Sequence, residues 1–423
     1  MSFVFHRRLR LLKVLLSLKF MVFIIVFWIF YINRHILFTI LVPDLVEIGN
    51  STKSIMVRKS ANKYILLWSA YRYPPFPVLM YKDIFAKKNC TYQNCIVTTD
   101  RNYFRGDLTK FDAIALHGRK LIKYTTRPNK SSHGSHKSLH QKFIYVNQDS
   151  AWNYPICSFK FDGVFNWTMT YKLNSDIPIP YIQIRDMAGN IVGPKIDMQW
   201  KSNMTEVDSD VIRRLKKKKK AVAWFYPECH TSTKRENIYL ANYLKNELKR
   251  YGYTVDTFGG CGTHRCKSDS ACNKKLEEYY FFLAYEKSFA VDFVTSKVLR
   301  ALWHYTVPIV YGGADYSRFL PPNSYINARY TPATRLAPLI VKLMKNPKLY
   351  RRYFGWTKHY TYHNPMNTDN VCALCAAMND PKLTGRTEYP HLRSWWNPPF
   401  PNKCQRGYLN DGNFVIDDDL FEI

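Results

Sequence analysis

The chain has 423 residues, which is enough for two domains of ordinary size with additional tails. Hydrophobic residues make up 46% of the chain, which excludes global disorder, and aromatic residues make up 16%, most of which we expect in cores. The formal net charge of +30 suits nucleic acid, a nucleotide diphosphate or anionic lipid equally well. Charge alone therefore does not define a partner.

The N-terminus combines a basic tail with an apolar run. Residues 14–32 are apolar except for Lys19, and 19 residues suffice to cross a hydrocarbon core of about 30 Å. Because basic residues precede this run, we expect a cytosolic N-terminus and a luminal remainder. A cleaved signal peptide is the alternative, but no small-residue cleavage site follows the run. This topology disfavours a nucleic-acid partner.

Cysteines and glycosylation sequons are typical of a luminal chain. Ten cysteines allow complete pairing in an oxidising compartment, although the sequence does not define which cysteines pair. Five Asn-x-Ser/Thr sequons support the same topology weakly, since sequons are common by chance. They begin at Asn50, Asn89, Asn129, Asn166 and Asn203.

The first half of the chain contains short apolar runs separated by polar segments. Residues 127–140, rich in Ser, Lys, His and Gly, predict a loop, and residues 213–220 form a basic run. That run is interpreted as a solvated linker or helix end, with an anion-attracting rim as the alternative. Strands are predicted at residues 64–68, 95–99, 113–116 and 143–147.

The second half alternates strand and helix patterns, which predicts an α/β domain with parallel strands. Strands are predicted at residues 221–225, 253–258, 280–285 and 307–311, and helices at 235–250, from about 292, and at 334–344. Parallel sheets bind ligands at the carboxyl ends of their strands. Arg235 lies at the N-terminal end of one predicted helix and Lys297 in the first turn of the next, each after such a strand end, so the two cations could bind a diphosphate in one crevice. The alternative is that both are ordinary surface residues.

Several ordered motifs in residues 64–354 resemble the α1,3-fucosyltransferase family. Residues 280–288 resemble the family pattern F-x-L-x-F-E-N-S, and residues 292–297 resemble D-Y-I-T-E-K. Residues 317–326 are similar to Y-E-R-F-x-P-P-x-S-F-I, and residues 165–176 to F-N-W-T-M-S-Y-R-x-D-S-D. Further similarity lies in residues 223–240, in residues 255–262 and in residues 301–312.

The resemblance implies an α/β, GT-B-like fold of two Rossmann-like domains facing a cleft, preceded by one transmembrane helix. It implies inverting transfer of fucose from GDP-fucose to a GlcNAc hydroxyl of N-glycoprotein acceptors, in the Golgi lumen. A carboxylate would deprotonate the acceptor and cations would hold the departing GDP. No metal or other cofactor would be required, although a divalent cation could stimulate the reaction. The oligomeric state is not defined.

Family motifs also imply the site residues. The implied catalytic residues are Asp149 and Glu286, and the implied donor-binding residues are Arg235, Tyr285, Lys297, Asn166 and Tyr171. The implied organisation is a cytosolic tail (1–13), a membrane anchor (14–32), a short stem (33–60), an acceptor-binding domain (61–205), a basic linker (206–220), a GDP-fucose-binding domain (221–380) and a C-terminal tail (381–423).

Four positions depart from the family pattern, of which the mildest is Lys172 in place of arginine. Asp149 stands where the family has glutamate, which sets the carboxylate back by one methylene, and a misplacement of about 1 Å can lower a rate about a hundredfold. Ser296 replaces a glutamate that contacts the donor ribose in relatives, and Lys287 replaces an asparagine. These departures leave open a homologue that binds GDP-fucose or glycan without turnover. A membrane-anchored adaptor for nucleic acid or lipid is a third hypothesis.

The C-terminal region bears on the acceptor. Its cysteines, Cys372, Cys375 and Cys404, resemble those of invertebrate and plant enzymes that modify the innermost, Asn-linked GlcNAc, with a Lewis-type antenna as the alternative acceptor. Cys372 and Cys375 have zinc-ligand spacing, but a disulfide role is favoured in a lumen. Trp395 and Trp396 could line a glycan groove, although core packing is favoured.

Overall fold

The computed structural model describes residues 61–68, 73–121, 140–158, 161–225, 235–260, 262–265, 268–366, 368–384 and 389–397. The chain divides into two compact units, Met1–Arg58 and Lys59–Ile423, and all described residues belong to the second. The predicted cytosolic tail, anchor and stem lie outside the described residues. No helix in the described ranges is long and apolar enough to cross a bilayer.

Six parallel strands form the first sheet, in the order β2-β1-β3-β4-β5-β6. Their central members are short and apolar, as expected of strands that are covered on both faces. The strands are β1 (Lys63–Leu67), β2 (Cys95–Thr98), β3 (Ala113–His117), β4 (Lys142–Asn147), β5 (Trp167–Thr170) and β6 (Ile177–Pro178). The four strands predicted in this half are confirmed, with ends shifted by one residue at most.

Five parallel strands form the second sheet, in the order β10-β9-β11-β12-β13. They are β9 (Lys220–Phe225), β10 (Val255–Phe258), β11 (Tyr279–Tyr285), β12 (Val307–Tyr311) and β13 (Ile326–Asn327). A third, antiparallel sheet joins β7 (Gln183–Asp186), β8 (Ile191–Gly193) and β14 (Tyr360–His363). The α/β prediction is therefore confirmed.

Twelve α-helices in the described residues cover or flank the sheets. They are α1 (Phe76–Leu79), α2 (Ile84–Lys87), α3 (Gly118–Leu121), α4 (Ser209–Leu215), α5 (Arg235–Lys249), α6 (Asp269–Lys275), α7 (Lys297–Trp303), α8 (Ala333–Lys345), α9 (Pro347–Arg351), α10 (Asp369–Met378), α11 (Pro381–Thr384) and α12 (Leu392–Trp396). Short 3₁₀ helices lie at Leu108–Lys110, Leu276–Glu278, Tyr316–Arg318 and Arg352–Lys358.

Alternation along β11 explains how the second sheet is covered on both faces. Phe281, Leu283 and Tyr285 pack in the core beneath α5 and α8. Phe282 and Ala284 point to the opposite core, beneath α7. Because side chains alternate between the two faces of a strand, one continuous apolar run supplies both cores.

The end of the predicted second domain returns to the first sheet. Val371 and Leu374 of α10 are fully buried in the core around β1, although the sequence placed them in the domain of residues 221–380. Disulfides Cys90–Cys372 and Cys95–Cys375 tie α10 to this half. The favoured disulfide role of the Cys-x-x-Cys pair is confirmed, with each cysteine bonded to a distant one.

The predicted basic linker is part of the second core. Val211 and Leu215 of α4 are buried there, so the basic run begins at the C-terminal end of a helix that packs in this core. Lys218 is only 5% exposed and donates hydrogen bonds to the carbonyls of Glu277 and His304 and to Thr306 Oγ1. Burial lowers the pKa of Lys218 to about 7. The sequence does not reveal this buried cation because it lies among exposed lysines.

Candidate active site

The carboxyl edges of the two large sheets meet through three loops. The ring of Tyr171, which follows β5, packs against Phe293 at 5.0 Å between centroids, and Tyr181 packs against the same ring at 6.0 Å. The backbone N–H of Leu173 donates to Asp292 Oδ2 at 3.2 Å. Burial raises the pKa of Tyr181, and the negative charges of Asp149 and Glu286 raise it further. Tyr181 is therefore close enough to interact electrostatically with a carboxylate of each sheet edge. The carboxylates predicted on separate halves therefore lie around one region.

Asp149 follows β4 and is bound by Arg119, which follows β3. The guanidinium makes a bidentate pair, in which Nη2 lies 2.8 Å from Oδ1 and Nε donates to Oδ2. The backbone N–H of Asp149 donates to Asn147 Oδ1 at 2.9 Å. These bonds fix the orientation of the carboxylate at the carboxyl edge of the first sheet.

Aromatic rings and a buried histidine hold Arg119 in place. Its guanidinium carbon lies 4.2 Å from the ring centre of Tyr73 and 4.8 Å from that of Tyr154. Hydrogen bonding to Asp149 raises the pKa of Arg119 above its ordinary value. His117 Nδ1 accepts from the backbone N–H of Arg119 at 3.2 Å, and burial lowers the pKa of His117 to about 4. The imidazole is therefore neutral at pH 7 and acts as an acceptor.

Gly118 permits the close approach of these two loops. A Cβ atom built there would lie 2.5 Å from both Asn147 Nδ2 and Tyr145 Oη. Any side chain at this position would have to displace the buried side chains of Asn147 and Tyr145. Arg119 could have been found in the sequence, because a charged residue directly after an apolar strand marks a carboxyl edge.

Glu286 follows β11 and has a completely buried side chain. Its Oε1 accepts from Thr295 N at 2.8 Å, and both carboxylate oxygens lie 3.0 Å from Thr295 Oγ1. Lys297 Nζ lies 3.3 Å from Oε2 and also donates to the carbonyl of Tyr285. The carboxylate thus organises the loop between β11 and α7, and its burial does not support the catalytic role expected from the sequence.

The start of α5 also converges on Glu286. Asn237 Nδ2, in the first turn of α5, donates to the backbone carbonyl of Glu286 at 2.7 Å. Arg235 is the first residue of this helix, and its side chain lies outside the described residues. Two helix starts, those of Arg235 and Lys297, therefore meet at the carboxyl end of β11, as the sequence predicts.

Two predicted donor-binding tyrosines are core residues in this structure. Tyr171 is 1% exposed, and its hydroxyl accepts from the backbone N–H of Ala151 at 3.0 Å. Tyr285 is 3% exposed and packs against Tyr311. Both rings pack beneath the site, and their expected role as direct donor ligands stays a prediction.

Asn166 lies at the opposite end of the first sheet from Asp149. It precedes β5, where its Oδ1 accepts from Phe143 N at 2.8 Å and its backbone N–H donates to Phe143 O at 2.8 Å. Phe143 stands near the amino end of β4, whereas Asp149 follows its carboxyl end. Asn166 therefore closes the amino edge of the sheet, and the expected donor-binding role is not supported.

Asp292 is the residue that joins the two halves most directly. Its Oδ2 accepts from Leu173 N, and its Oδ1 lies 3.2 Å from Arg318 Nη1. Asp292 is 4% exposed and has a φ of 59°, in the left-handed region. This geometry explains why the helix predicted from about residue 292 begins at Lys297, since the intervening loop wraps around Glu286.

Lys172 adds a second buried cation near this junction. It is 7% exposed, its Nζ donates to the backbone carbonyl of Trp395, and it lies 4.4 Å from that indole centre. Burial lowers the pKa of Lys172 to about 8, against the opposing influence of Asp292. Trp396 is 1% exposed and packs against Tyr145 and Tyr171, which confirms core packing for this part of the tail.

Metal-binding side chains are not grouped in the described ranges. No cluster of three or more His, Cys, Asp or Glu residues that could hold a metal ion occurs among them. Two side-chain cations lie at the carboxyl edges of the sheets, Lys297 at the start of α7 and Arg119 after β3.

Both large sheets match models of one enzyme family. Residues 60–182 match the model for the N-terminal part of the fucosyltransferases, and residues 215–395 match the model "Glycosyltransferase family 10 (fucosyltransferase) C-term". An α/β fold with these two matches defines a glycosyltransferase. The chain belongs to glycosyltransferase family 10, the fucosyltransferases.

Individual relatives agree with this assignment. Alpha-(1,3)-fucosyltransferase C of Drosophila melanogaster is 32% identical over 349 residues, which cover 79% of this chain and 78% of the relative. Glycoprotein 3-alpha-L-fucosyltransferase A of the same organism is 28% identical, over 80% of this chain and 61% of the relative. A crystal structure of alpha1,3-fucosyltransferase with GDP-fucose aligns with 79% of this chain and 95% of its own, at 14% identity and a TM-score of 0.44.

Proposed function

We propose that this protein transfers L-fucose from GDP-fucose, with inversion, in α1,3 linkage to GlcNAc of N-glycans. The proposal depends on the positions of Asp149 and Lys297 at the carboxyl edges of the two sheets, which the Tyr171–Phe293 and Leu173–Asp292 contacts join. Asp149 supplies a carboxylate from the first sheet and Lys297 supplies a cation from the second. The names of the Drosophila relatives support the linkage and the sugar.

On the donor side, Lys297 and the start of α5 would bind the diphosphate. Lys297 keeps 35% of its side chain exposed, and its Nζ contacts the carbonyl of Tyr285 and Glu286 Oε2, so a third N–H would be available to a phosphate oxygen. Backbone N–H groups at the start of the 15-residue helix α5 favour negative charge in the same place. Positive groups there stabilise the charge that develops on GDP as it leaves.

On the acceptor side, Asp149 would act as the general base. The acceptor hydroxyl oxygen attacks the anomeric carbon of fucose, the bond from that carbon to the phosphate oxygen breaks, and GDP leaves with the electron pair. Asp149 accepts the hydroxyl proton. Arg119 occupies one bonding direction on each carboxylate oxygen, and each oxygen retains a further lone pair for this proton.

The innermost, Asn-linked GlcNAc is the proposed acceptor. Support comes from the C-terminal cysteines, which resemble those of core-modifying enzymes, and from disulfides that anchor α10 beside the first sheet. The name of the second Drosophila relative, a glycoprotein 3-alpha-L-fucosyltransferase, agrees with a glycoprotein acceptor. A Lewis-type antenna is the alternative, supported by 26% identity over 310 residues to the 4-galactosyl-N-acetylglucosaminide 3-alpha-L-fucosyltransferase FUT6 of Gorilla gorilla gorilla, whose name states a galactosylated GlcNAc acceptor.

The proposed location is the Golgi membrane, with a single-pass anchor at residues 14–32 and a luminal enzyme. The basic and apolar N-terminus supports this orientation. Disulfides between distant cysteines are also typical of oxidising compartments.

A catalytically weak homologue is the second candidate, because Asp149 and Ser296 replace the glutamates of the family pattern. An acceptor panel separates the candidates. The purified full chain in detergent is incubated with GDP-fucose and either core-type or Lewis-type glycans, and products are identified by mass spectrometry. We expect fucosylated core GlcNAc. Stabilisation by GDP without product on any acceptor would establish the weak homologue instead.

A further inference from the structure

A cavity of about 630 Å³ lies apart from the residues assigned to fucosyl transfer. Its size is within the range of about 300–1,000 Å³ that is typical of ligand pockets. The cavity is lined by the turn at residues 88–91, by β7 and β14, and by the start of α10. None of the seven site residues predicted from the sequence lines it.

The wall formed by β7 and α10 presents a fixed polar network. Arg185 Nη2 lies 3.1 Å from both carboxylate oxygens of Asp369, and its Nε donates to Gln183 Oε1 at 2.7 Å. Thr368 Oγ1 donates to Asp369 Oδ2 at 3.0 Å. Because these donors and acceptors hold one another in place, the wall offers preorganised partners for hydroxyl and amide groups.

An indole forms another part of the lining. Trp303 is 50% exposed, and its Nε1–H donates to the carbonyl of Tyr362 at 2.9 Å, so its orientation is fixed. An exposed aromatic ring can pack on the apolar C–H face of a pyranose. A fixed polar wall with an exposed indole suits a carbohydrate.

Asn89 places a carbohydrate attachment point on this cavity. It begins the sequon Asn89-Cys90-Thr91, all three residues line the cavity, and Asn89 itself is exposed. The Cys90–Cys372 disulfide anchors this turn to α10, which forms the adjacent wall. Any sugar bonded to Asn89 Nδ2 would therefore begin at the cavity.

We propose that Asn89 carries an N-glycan whose first sugars lie in this cavity against Trp303. In the attachment step, Asn89 Nδ2 bonds to the anomeric carbon of a lipid diphosphate-linked oligosaccharide. The carbon–phosphate oxygen bond breaks, the lipid diphosphate leaves with the electron pair, and Nδ2 loses a proton. Cys372 lies 282 residues after Cys90, so the sequon enters the lumen before its turn can be fixed.

The other described sequons provide contrasts. Asn166 is 5% exposed and its side chain is bonded within the first sheet, which leaves no room for a glycan in the folded protein. Asn203 is exposed and does not line the cavity. Asn203 therefore serves as an internal reference for a glycan that projects into solvent.

The test uses the full chain produced in a secretory pathway, with glycopeptide mapping by mass spectrometry. Asn89→Gln and Thr91→Ala remove the sequon by two routes, whereas Thr91→Ser preserves it. The folded protein is then treated with peptide-N-glycosidase, and the rate of release is followed at each site. Trp303→Ala tests the contact, and Tyr330→Ala removes an exposed aromatic residue that does not line the cavity.

We expect Asn89 to be occupied in the wild type and in Thr91→Ser, with release several-fold slower than at Asn203. Trp303→Ala should accelerate release at Asn89 several-fold, and Tyr330→Ala should leave it unchanged. An unoccupied Asn89 beside an occupied Asn203 overturns the proposal. Release at Asn89 that is as fast as at Asn203 and insensitive to Trp303→Ala also overturns it. The inference rests on the proposed luminal orientation, and absence of glycan at every sequon would overturn both together.

Discussion

Arg119 contacts both carboxylate oxygens of Asp149, while its own guanidinium lies between the rings of Tyr73 and Tyr154. The arginine is therefore fixed independently of its partner. Small changes in its position would move the proposed base, and displacements of about 1 Å can lower a rate about a hundredfold.

Asp149→Asn should lower kcat by about 10²–10⁴-fold, because an amide cannot accept the acceptor proton. The KM for GDP-fucose should change little, since Asp149 lies on the acceptor side. Asp162→Asn is the matched control, because Asp162 also pairs with an arginine, Arg393, outside the site. Steady-state kinetics with the core acceptor measures both variants. An Asp149→Asn enzyme with wild-type kcat would exclude Asp149 as the base.

Arg119→Lys should lower kcat on the order of a hundredfold while leaving the KM for the donor unchanged. Lysine retains the charge but cannot make the bidentate bond or stack flat between two tyrosines. Arg101→Lys provides the control, since Arg101 stacks 4.0 Å from the Trp68 ring centre and has no contact with Asp149 in the structure. Equal kinetic effects of the two substitutions would indicate a general packing role for Arg119 rather than a positioning role.

Glu286→Ala should raise the KM for GDP-fucose more than it lowers kcat. The buried carboxylate orients Lys297 and accepts from Thr295 N, and a buried donor left without a partner costs about 1–3 kcal/mol. Donor titrations and denaturation by urea measure the two effects. Lys348→Ala, which changes an exposed lysine of α9 outside the site, should change neither. A fall in kcat with unchanged donor KM and unchanged stability would instead favour a direct catalytic role for Glu286.

The sequence predicted the second sheet well because β9, β11 and β12 are apolar runs with clear borders. Those runs are covered on both faces, so their composition reports burial directly. It did not predict that α10 packs on the first sheet, because an apolar helix carries no signal for which sheet it covers. The packing of α10 on the first sheet is evident from the disulfides that join Cys372 to Cys90 and Cys375 to Cys95.

The strand ends that position the candidate site are evident in the sequence, whereas the orientation of its side chains is not. Lys297 and Glu286 follow an evident strand end, so their meeting could be anticipated. The burial of Tyr171 depends on packing between the halves, and the location of Asn166 depends on the register of β5 against β4. Neither is determined by the residues that surround these positions in the sequence. Arg119 follows the end of β3 by two residues, but its partner Asp149 is 30 residues away, so the sequence alone does not show that the two form a pair.

Asp292→Asn should lower the free energy of unfolding by about 1 kcal/mol, and Asp292→Ala should lower it by more. Asparagine tolerates the left-handed φ and can still accept from Leu173 N, but it loses the charged partner Arg318. Alanine loses both bonds and is strained at this φ. Urea denaturation measures each change, with Asp197→Asn, an exposed aspartate outside these contacts, as control. Equal stability of all three variants and the wild type would show that the Leu173–Asp292–Arg318 contacts do not hold the halves together.

Because of Lys218, the free energy of unfolding should increase as the pH rises above about 7. Burial lowers its pKa to about 7 from an ordinary value of 10.5, so the unfolded chain binds more protons than the folded chain between those values. Stability increases with pH wherever the unfolded state binds more protons. Between pH 7 and pH 9 this one group should add about 2 kcal/mol to the free energy of unfolding.

Lys218→Met removes the titrating group and should flatten the rise by that amount, even though it leaves the carbonyls of Glu277 and His304 without this donor. The variants are therefore compared by the slope of the free energy of unfolding against pH and not by its value at one pH. Lys219→Met, which changes an exposed neighbour, should retain the wild-type slope. Urea denaturation at pH 7, 8 and 9 gives the three slopes. If Lys218→Met and the wild type rise in parallel, Lys218 is charged in the folded protein throughout this range, and its buried hydrogen bonds must offset the cost of desolvation.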